Sequence, residues 1–440
     1  MAETQGLSRP GAEFTDAPVP QEQRIAWWTI ALVKIGIVLA LPGFLVGVQI
    51  GSSMGLRNGA IAFFAGAAIL AAIASLTATV AAKSHLPTSM ITQFPFGRIG
   101  ARAINLILAV SLIGWFAVTA ELFGDTLAQM LSATWEIHIS SRVFTFAGGV
   151  LMVVTTVFGF KAISRLADLA VPLLLLLLVI ITWLAVKDHS LSELLAYGGN
   201  GTASALGIGI SAVVGGPSVG TIIFPDIARF ARSANHGRCA AIFTYAICLP
   251  VMFMMVAIAS IATQESNLMM MMLALGLGGV ALLFLVFKAW TTNVGNLYSS
   301  SLFFSALVKT APFRLIVLCV GAMGALGALL GITQYFVPFL LVLGVSIPPI
   351  AGIYVTDFFL RGQAFNVSDL EMRPAIGVPA FIAWAAGIGT ATLSIRGALT
   401  LTGIPACDSI MVAAATYLMI ALVARRRPQP RSERRAAASE

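Results

Sequence analysis

The stretch Leu285-Val286-Phe287-Lys288-Ala289-Trp290-Thr291-Thr292-Asn293 lies deep inside an apolar run from about Met269 to Phe304. It holds a lysine, two threonines and an asparagine among apolar neighbours. An ionisable side chain inside a membrane span is costly unless it meets a partner, so it marks a functional site by default. The run is too long for the lysine stem to reach either end. The Lys288 ammonium must therefore meet carbonyls, hydroxyls or a carboxylate, or lose its proton.

The composition places most of the chain in a lipid bilayer. Of its 440 residues 58% are hydrophobic and only 10% charged, and the mean hydropathy is +0.94. A soluble domain carries about 25% charged residues. The apolar runs are continuous and about 20 residues long, which favours spanning helices over barrel strands. We predict an all-α integral membrane protein whose twelve spans lie near 27–50, 59–82, 103–129, 143–160, 167–186, 204–228, 239–263, 273–299, 314–332, 335–358, 377–395 and 408–424.

The net charge of +8 follows membrane topology. If the chain crosses the membrane at each of the twelve predicted spans, 20 of its 26 lysines and arginines fall on the side of the membrane that holds the N-terminus. The positive-inside rule then puts both termini in the cytoplasm and the protein in the cytoplasmic (inner) membrane. The Arg-rich tail is interpreted as a topology determinant, so we expect no nucleic-acid partner. The expected partners are the bilayer and a small molecule, with the chain a monomer.

Two predicted spans contain helix-breaking residues. The first contains Ala40-Leu41-Pro42-Gly43, and the sixth contains Val214-Gly215-Gly216-Pro217-Ser218-Val219-Gly220. Proline removes a backbone donor, and interrupted spans in corresponding halves indicate an inverted 5+5 repeat with the binding site between them. The alternative is a pair of independent proline kinks.

The repeat interpretation divides the chain into four parts. We expect a disordered cytoplasmic tail at 1–24 and an inverted-repeat core at 25–360, with repeats at about 25–187 and 200–360. Two peripheral helices follow at 375–424, and an Arg-rich cytoplasmic tail at 425–440.

Several polar or aromatic residues at membrane depth are candidates for binding. Trp115 lies mid-span, where it either packs between helices or offers a flat ligand a stacking platform. The Asn293 amide matches the edge of a nucleobase or cyclic amide. The hydroxyls of Thr291 and Thr292 either bind a hard cation or bond back to their helix. Asp226 and Arg229, at the cytoplasmic end of span six, form a gate or a local ion pair.

Other functional classes fit less well. A channel predicts rings of polar residues along a pore, whereas the polar residues here cluster at one depth. An enzyme needs paired carboxylates or a metal cluster, and the four histidines lie outside the span cores, so we expect no enzymatic activity, catalytic residue or metal. No phosphate-binding loop GxxxxGK[ST] occurs. No cofactor is indicated.

The chain resembles the nucleobase–cation symporter-1 family, in its cytosine permease branch, over nearly its whole length. The motifs that carry the resemblance are Ala17-Pro18-Val19-Pro20-Gln21, Gly114-Trp115-Phe116, Asp226-Ile227-Ala228-Arg229-Phe230, Trp290-Thr291-Thr292-Asn293 with Leu297-Tyr298, and Ile347-Pro348-Pro349 with Asp357. Trp-Thr-Thr-Asn deep in a span is the most specific of these.

The resemblance implies a LeuT-like 5+5 fold with broken helices 1 and 6 and two extra helices. It implies a secondary transporter that imports a nucleobase or related planar heterocycle. The alternative is sodium symport of a hydantoin- or allantoin-like ring or of a pyrimidine vitamin precursor. The implied substrate-binding residues are Trp115, Asn293, Gly216, Pro217, Ser218 and Leu112. The implied cation site comprises Gly36, Ala40, Lys288, Thr291 and Thr292.

Three positions depart from the family pattern. Pro217 stands where relatives have a second aromatic wall, and Leu112 where the cytosine branch has a polar amide. Lys288 stands where that branch has a sodium-ligating asparagine. Our hypothesis is that the Lys288 ammonium substitutes for sodium, so that transport couples to protons or to no ion. The alternatives are a shifted register and a pairing of Lys288 with a carboxylate elsewhere.

Overall fold

The computed structural model describes residues 14–38, 41–199, 206–265, 268–308, 310–335, 339, 342–343, 346–399 and 401–426. Regular structure in these segments is helical, apart from one isolated bridge between Ile25 and Ala231. Seven of the described helices are long and apolar enough to cross a bilayer, and four more are apolar but shorter. The helical membrane architecture predicted from composition is thus confirmed, while the count of twelve spans stays a prediction.

The principal helices are numbered in chain order. They are α1 (Trp27–Val38), α2 (Leu41–Ser84), α3 (Gly100–Trp135), α4 (Ser141–Val157), α5 (Phe160–Val186), α6 (Leu206–Ile222), α7 (Ala234–Thr263), α8 (Gly278–Leu307), α9 (Phe313–Leu329), α10 (Pro348–Leu360), α11 (Val378–Ile395) and α12 (Pro405–Arg426). Short helices occur at Thr88–Ile91, Gln93–Phe96, Leu191–Ala196, Pro225–Ala228 and Leu268–Ala274.

The first predicted span is interrupted near the expected place. Helix α1 ends at Val38 and α2 begins at Leu41, so that Pro42 falls in the first turn of α2. Proline is tolerated there because the first helical N–H groups have no intrahelical partner. Ala40, assigned to the cation site, lies outside the described residues. Further along α2, Gly55 takes a positive φ of 73° and separates two helical segments.

The predicted break at Val214–Gly220 is wrong. Helix α6 runs from Leu206 to Ile222 with Pro217 inside it, and the interruption comes later, at a turn before Pro225–Ala228. Membrane helices tolerate an internal proline when neighbouring groups take up the freed backbone. Pro225 instead opens the next short helix, where its missing N–H costs nothing.

Helix α8 packs against α1, α3, α4, α5 and α9. Its approach to α1 depends on Gly295, since a Cβ there would lie 2.4 Å from the Ile37 side chain. A second close contact joins Gly36 to α8, where an added Cβ would lie 3.4 Å from the Cβ of Thr291. These contacts bring the end of α1 to the polar middle of α8. Helices α11 and α12 pack on each other and on α10.

Candidate functional site

A cavity of about 490 Å³ lies between α1, α2, α3, α6, α7 and α8. Its volume falls within the range typical of small-molecule sites, about 300–1,000 Å³. It extends from the buried Ile227, beyond the end of α6, to the exposed Gln49 on α2. The wall is mostly apolar, with a small number of polar side chains on α1, α2 and α8.

Four of the six predicted substrate residues line this cavity. They are Leu112 and Trp115 on α3 and Gly216 and Pro217 on α6. The Trp115 ring is partly exposed and meets Phe339 edge to face, with 5.9 Å between centroids and an interplanar angle of 69°. A flat ring system at the wall of a cavity is suited to stacking on a planar ligand.

The other two predicted substrate residues are not at the cavity wall. Asn293 is fully buried, and its Nδ2 donates to the Phe116 carbonyl at 3.0 Å and lies 3.2 Å from Met152 Sδ. These contacts turn its amide toward α3 and α4. The Ser218 hydroxyl donates to the Gly215 carbonyl at 2.7 Å, within its own helix. The direct role predicted for either side chain therefore stays a prediction.

The polar wall of α8 is instead formed by Thr292, Asn296 and Ser299. Asn296 and Ser299 are not among the residues predicted from the sequence. Their spacing of four and seven residues from Thr292 puts all three on one helical face. The spacing indicates that the three residues share a face of α8. Only the packing of α8 shows that this face meets the cavity.

The predicted cation-site residues on α1 and α8 come together. Lys288 Nζ donates to Thr292 Oγ1 at 2.8 Å and to the Gly36 carbonyl at 3.3 Å. The Thr291 hydroxyl also reaches the Gly36 carbonyl, at 3.2 Å. Lys288 is fully buried, and none of the ion pairs found among the described residues involves it. The ammonium thus lies among the oxygens assigned to a cation.

A second buried lysine belongs to the site. Lys34 on α1 lines the cavity, and its Nζ donates to the Gly220 carbonyl of α6 at 2.6 Å. The same atom lies 5.2 Å from the centre of the Phe224 ring. The sequence places Lys34 within a predicted span, but it does not predict that the side chain contacts α6 and lines the cavity.

Asp226 and Arg229 lie beside the closed end of the cavity. Asp226 Oδ1 accepts from the Thr88 amide at 2.9 Å. Arg229 donates to the Tyr298 hydroxyl at 2.8 Å and to the Phe14 carbonyl of the N-terminal segment at 2.7 Å. Both side chains are buried. They tie α8 and the N-terminal segment together next to Ile227, and their role as a gate stays a prediction.

Sequence comparison relates the chain to known permeases. A family described as permeases for cytosine/purines, uracil, thiamine and allantoin matches residues 18–418. Cytosine permease of Escherichia coli strain K12 is 25% identical over 410 residues, covering 92% of this chain and 94% of the relative. Hydantoin permease of Microbacterium maritypicum is 23% identical over 381 residues, covering 81% and 77%.

Comparison with solved structures supports the fold. Mhp1, a nucleobase-cation-symport-1 family transporter in a closed conformation with bromovinylhydantoin bound, superposes with a TM-score of 0.80 at 19% identity, over 92% of this chain and 93% of Mhp1. A Na⁺-coupled sialic acid symporter in an outward-open state gives a TM-score of 0.71 at 14% identity, over 94% and 93%.

Proposed function

Because the chain belongs to the nucleobase–cation symporter-1 family of permeases, we propose that it imports a small planar heterocycle without requiring sodium. It is a multi-pass membrane transporter and not an enzyme. The cavity beside Trp115 is the proposed substrate site. The observation that carries sodium independence is the Lys288 ammonium, 2.8 Å from Thr292 Oγ1 and 3.3 Å from the Gly36 carbonyl.

The shape and lining of the cavity support a flat substrate. Trp115 offers one ring face, while the described lining residues of α6, Gly216, Pro217, Val219 and Gly220, include no aromatic side chain. Hydroxyl and amide groups of Thr292, Asn296 and Ser299 face the same space. A ring with polar edges can stack on Trp115 and exchange hydrogen bonds with α8.

Electrostatic repulsion supports the exclusion of sodium. Two like charges about 4 Å apart repel by about 4 kcal/mol at an effective dielectric of about 20. A sodium ion bound to Gly36 and Thr292 would lie beside the Lys288 ammonium. We therefore propose coupling to protons or transport without a coupling ion.

The proposed orientation follows the distribution of basic residues. Both termini face the cytoplasm, the protein lies in the cytoplasmic membrane, and the functional unit is a monomer. A reporter protein that is active only in the cytoplasm should give a signal when it is fused to either terminus. A periplasmic signal from either fusion would reverse this topology.

The substrate class can be tested by thermal denaturation. We expect at least one planar heterocycle, from a panel of purines, pyrimidines, hydantoins and pyrimidine vitamin precursors, to raise the melting temperature of the purified protein. A ligand at 100 times its Kd stabilises the folded state by about 2.7 kcal/mol. The shift should be the same in sodium and in choline chloride. A panel with no responding ligand would refute the proposed substrate class.

Narrowing the cavity at Gly216 should weaken binding. A Cβ at Gly216 meets no atom within 4 Å, so Gly216→Ala places a methyl group in space that the ligand needs. Overpacking of this kind costs about 1–3 kcal/mol, and we expect roughly a 5-fold or larger rise in the ligand Kd. Titration calorimetry with the ligand found in the panel measures the change.

The matched control is Gly389→Ala. A Cβ at Gly389 on α11 also meets no atom within 4 Å, but that residue is exposed on the outside and does not line the cavity. The Kd of the ligand for the Gly389→Ala variant should equal its Kd for the unmodified protein. Equal Kd values for both variants would place the ligand away from α6.

A further inference from the structure

Lys34 presents a charge to the cavity that the proposed function leaves unexplained. Its side chain is 1% exposed, and it lines the same space as Trp115 and Gly216. Its hydrogen bond in the described structure is to the Gly220 carbonyl, at 2.6 Å. An ammonium has three donors, so this bond leaves capacity for a further acceptor.

The charge has no carboxylate at ion-pair distance. Among the described residues, the ion pairs within 4 Å involve Lys187, His189 and Arg361, and none reaches Lys34. The Asp226 carboxylate is not within that distance of Lys34 either, and its Oδ1 accepts from the Thr88 amide at 2.9 Å. The ring of Phe224 supplies only a weak cation–π contact. A buried charge without a paired anion is strongly destabilising.

The two buried lysines of the site differ in their surroundings. Lys288 lies between a carbonyl and a hydroxyl and does not line the cavity. Lys34 does line it, and the other polar side chains among the described lining residues, Gln49, Thr292, Asn296 and Ser299, are neutral. A ligand in the cavity therefore meets one positive charge and no negative side chain among the described lining residues.

We propose that the substrate is an anionic planar heterocycle, whose negatively charged oxygen pairs with the Lys34 ammonium while its ring stacks on Trp115. The charge is carried either by a ring carboxylate or by the conjugate base of an acidic cyclic imide. This inference rests on the proposed function and narrows its substrate class. An interior-negative membrane potential opposes the entry of an anion, so a proton is expected to accompany it.

Matched ligand pairs test the proposal on the purified full-length protein. Uracil against orotate adds a ring carboxylate, and xanthine against urate adds an 8-oxo group that makes a ring N–H more acidic, with ring size kept within each pair. Both pairs are compared at slightly acidic pH, where xanthine is neutral and urate is an anion. Hydrogen bonds between charged groups are stronger than neutral ones, and we expect the anion of at least one pair to bind about 10-fold or more tightly than its neutral partner. The pair that responds identifies which group carries the charge.

Substitution of Lys34 separates the charge from the fold. Lys34→Met keeps the length of the stem and should abolish the preference for the anion, so that the ratio of the neutral-ligand Kd to the anion Kd falls to about one. Lys34→Arg keeps the charge and should retain the preference. Neutral-ligand binding by Lys34→Met shows that the variant is folded. If the methionine variant is unstable, the comparison of each ligand pair on the unmodified protein still tests the proposal.

The outcomes separate this inference from the proposed function. Binding of neutral heterocycles without any preference for the anions would overturn the inference and leave the proposed function standing. Equal weakening of neutral and anionic ligands in Lys34→Met would also overturn it. If no heterocycle of either kind binds, the proposed function itself fails.

Discussion

Lys288→Asn is expected to convert a sodium-independent permease into one that sodium stimulates. The substitution removes the ammonium that donates to Thr292 Oγ1 and to the Gly36 carbonyl. It leaves these oxygens and adds an amide oxygen, and such neutral oxygens are suitable ligands for a hard cation. Relief of about 4 kcal/mol of charge repulsion corresponds to about a 1,000-fold gain in sodium affinity. Initial uptake rates in sodium and in choline buffer measure the effect.

The matched control for this experiment is Lys288→Arg. It keeps a positive charge among the same oxygens, so its residual uptake should remain insensitive to sodium. Binding of the ligand to each purified variant shows that the substrate site is intact. Uptake by Lys288→Asn that is substantial and still indifferent to sodium would show that the charge is not what excludes the ion.

Trp115→Ala is expected to give the largest loss of substrate affinity among changes on α3. Stacking of a base on an aromatic side chain contributes about 1–3 kcal/mol by alanine substitution, which corresponds to a Kd raised about 5- to 150-fold. The ring is partly exposed toward the cavity, so its removal should spare membrane insertion. Titration calorimetry and uptake at low substrate concentration both report the loss.

Trp290→Ala provides the comparison. Trp290 is also partly buried at membrane depth, but its Nε1 donates to Thr155 Oγ1 at 2.9 Å and its ring stacks on Phe287. It does not line the cavity. Loss of the Trp290 side chain should lower the stability of the folded protein more than it raises the Kd of the ligand. A Trp115→Ala protein that binds the ligand as tightly as the unmodified chain would remove the stacking platform from the proposal.

The sequence predicted the polar middle of α8 because charged and hydroxyl residues are rare in lipid. It also predicted the interruption after α1, because glycine and proline act locally on the helix. The same reasoning failed at Pro217, since a proline either kinks or breaks a membrane helix according to the groups packed around it. Sequence alone therefore placed the interruption of the sixth span several residues too early.

The site could be predicted only in part, for a related reason. The family resemblance assigned Gly36, Lys288 and Thr292 to one cation site, although Gly36 lies far from the other two residues in the chain. Periodicity fixes the face of α8 on which Asn293 lies, but it does not fix the rotation of α8 about its own axis. Whether that face meets the cavity or helices α3 and α4 depends on tertiary packing. Lys34 lies within the first predicted span, but its partner, the Gly220 carbonyl, is 186 positions away in the chain. Contacts of this kind follow from tertiary packing.

Substrate uptake into proteoliposomes of the unmodified protein, with all sodium replaced by choline, tests the central claim most directly. If the Lys288 ammonium occupies the place of the cation, initial rates in the two buffers should agree within experimental error. A strict requirement for sodium would contradict the account, because it would mean that the ion binds despite the charge beside Thr292 and the Gly36 carbonyl.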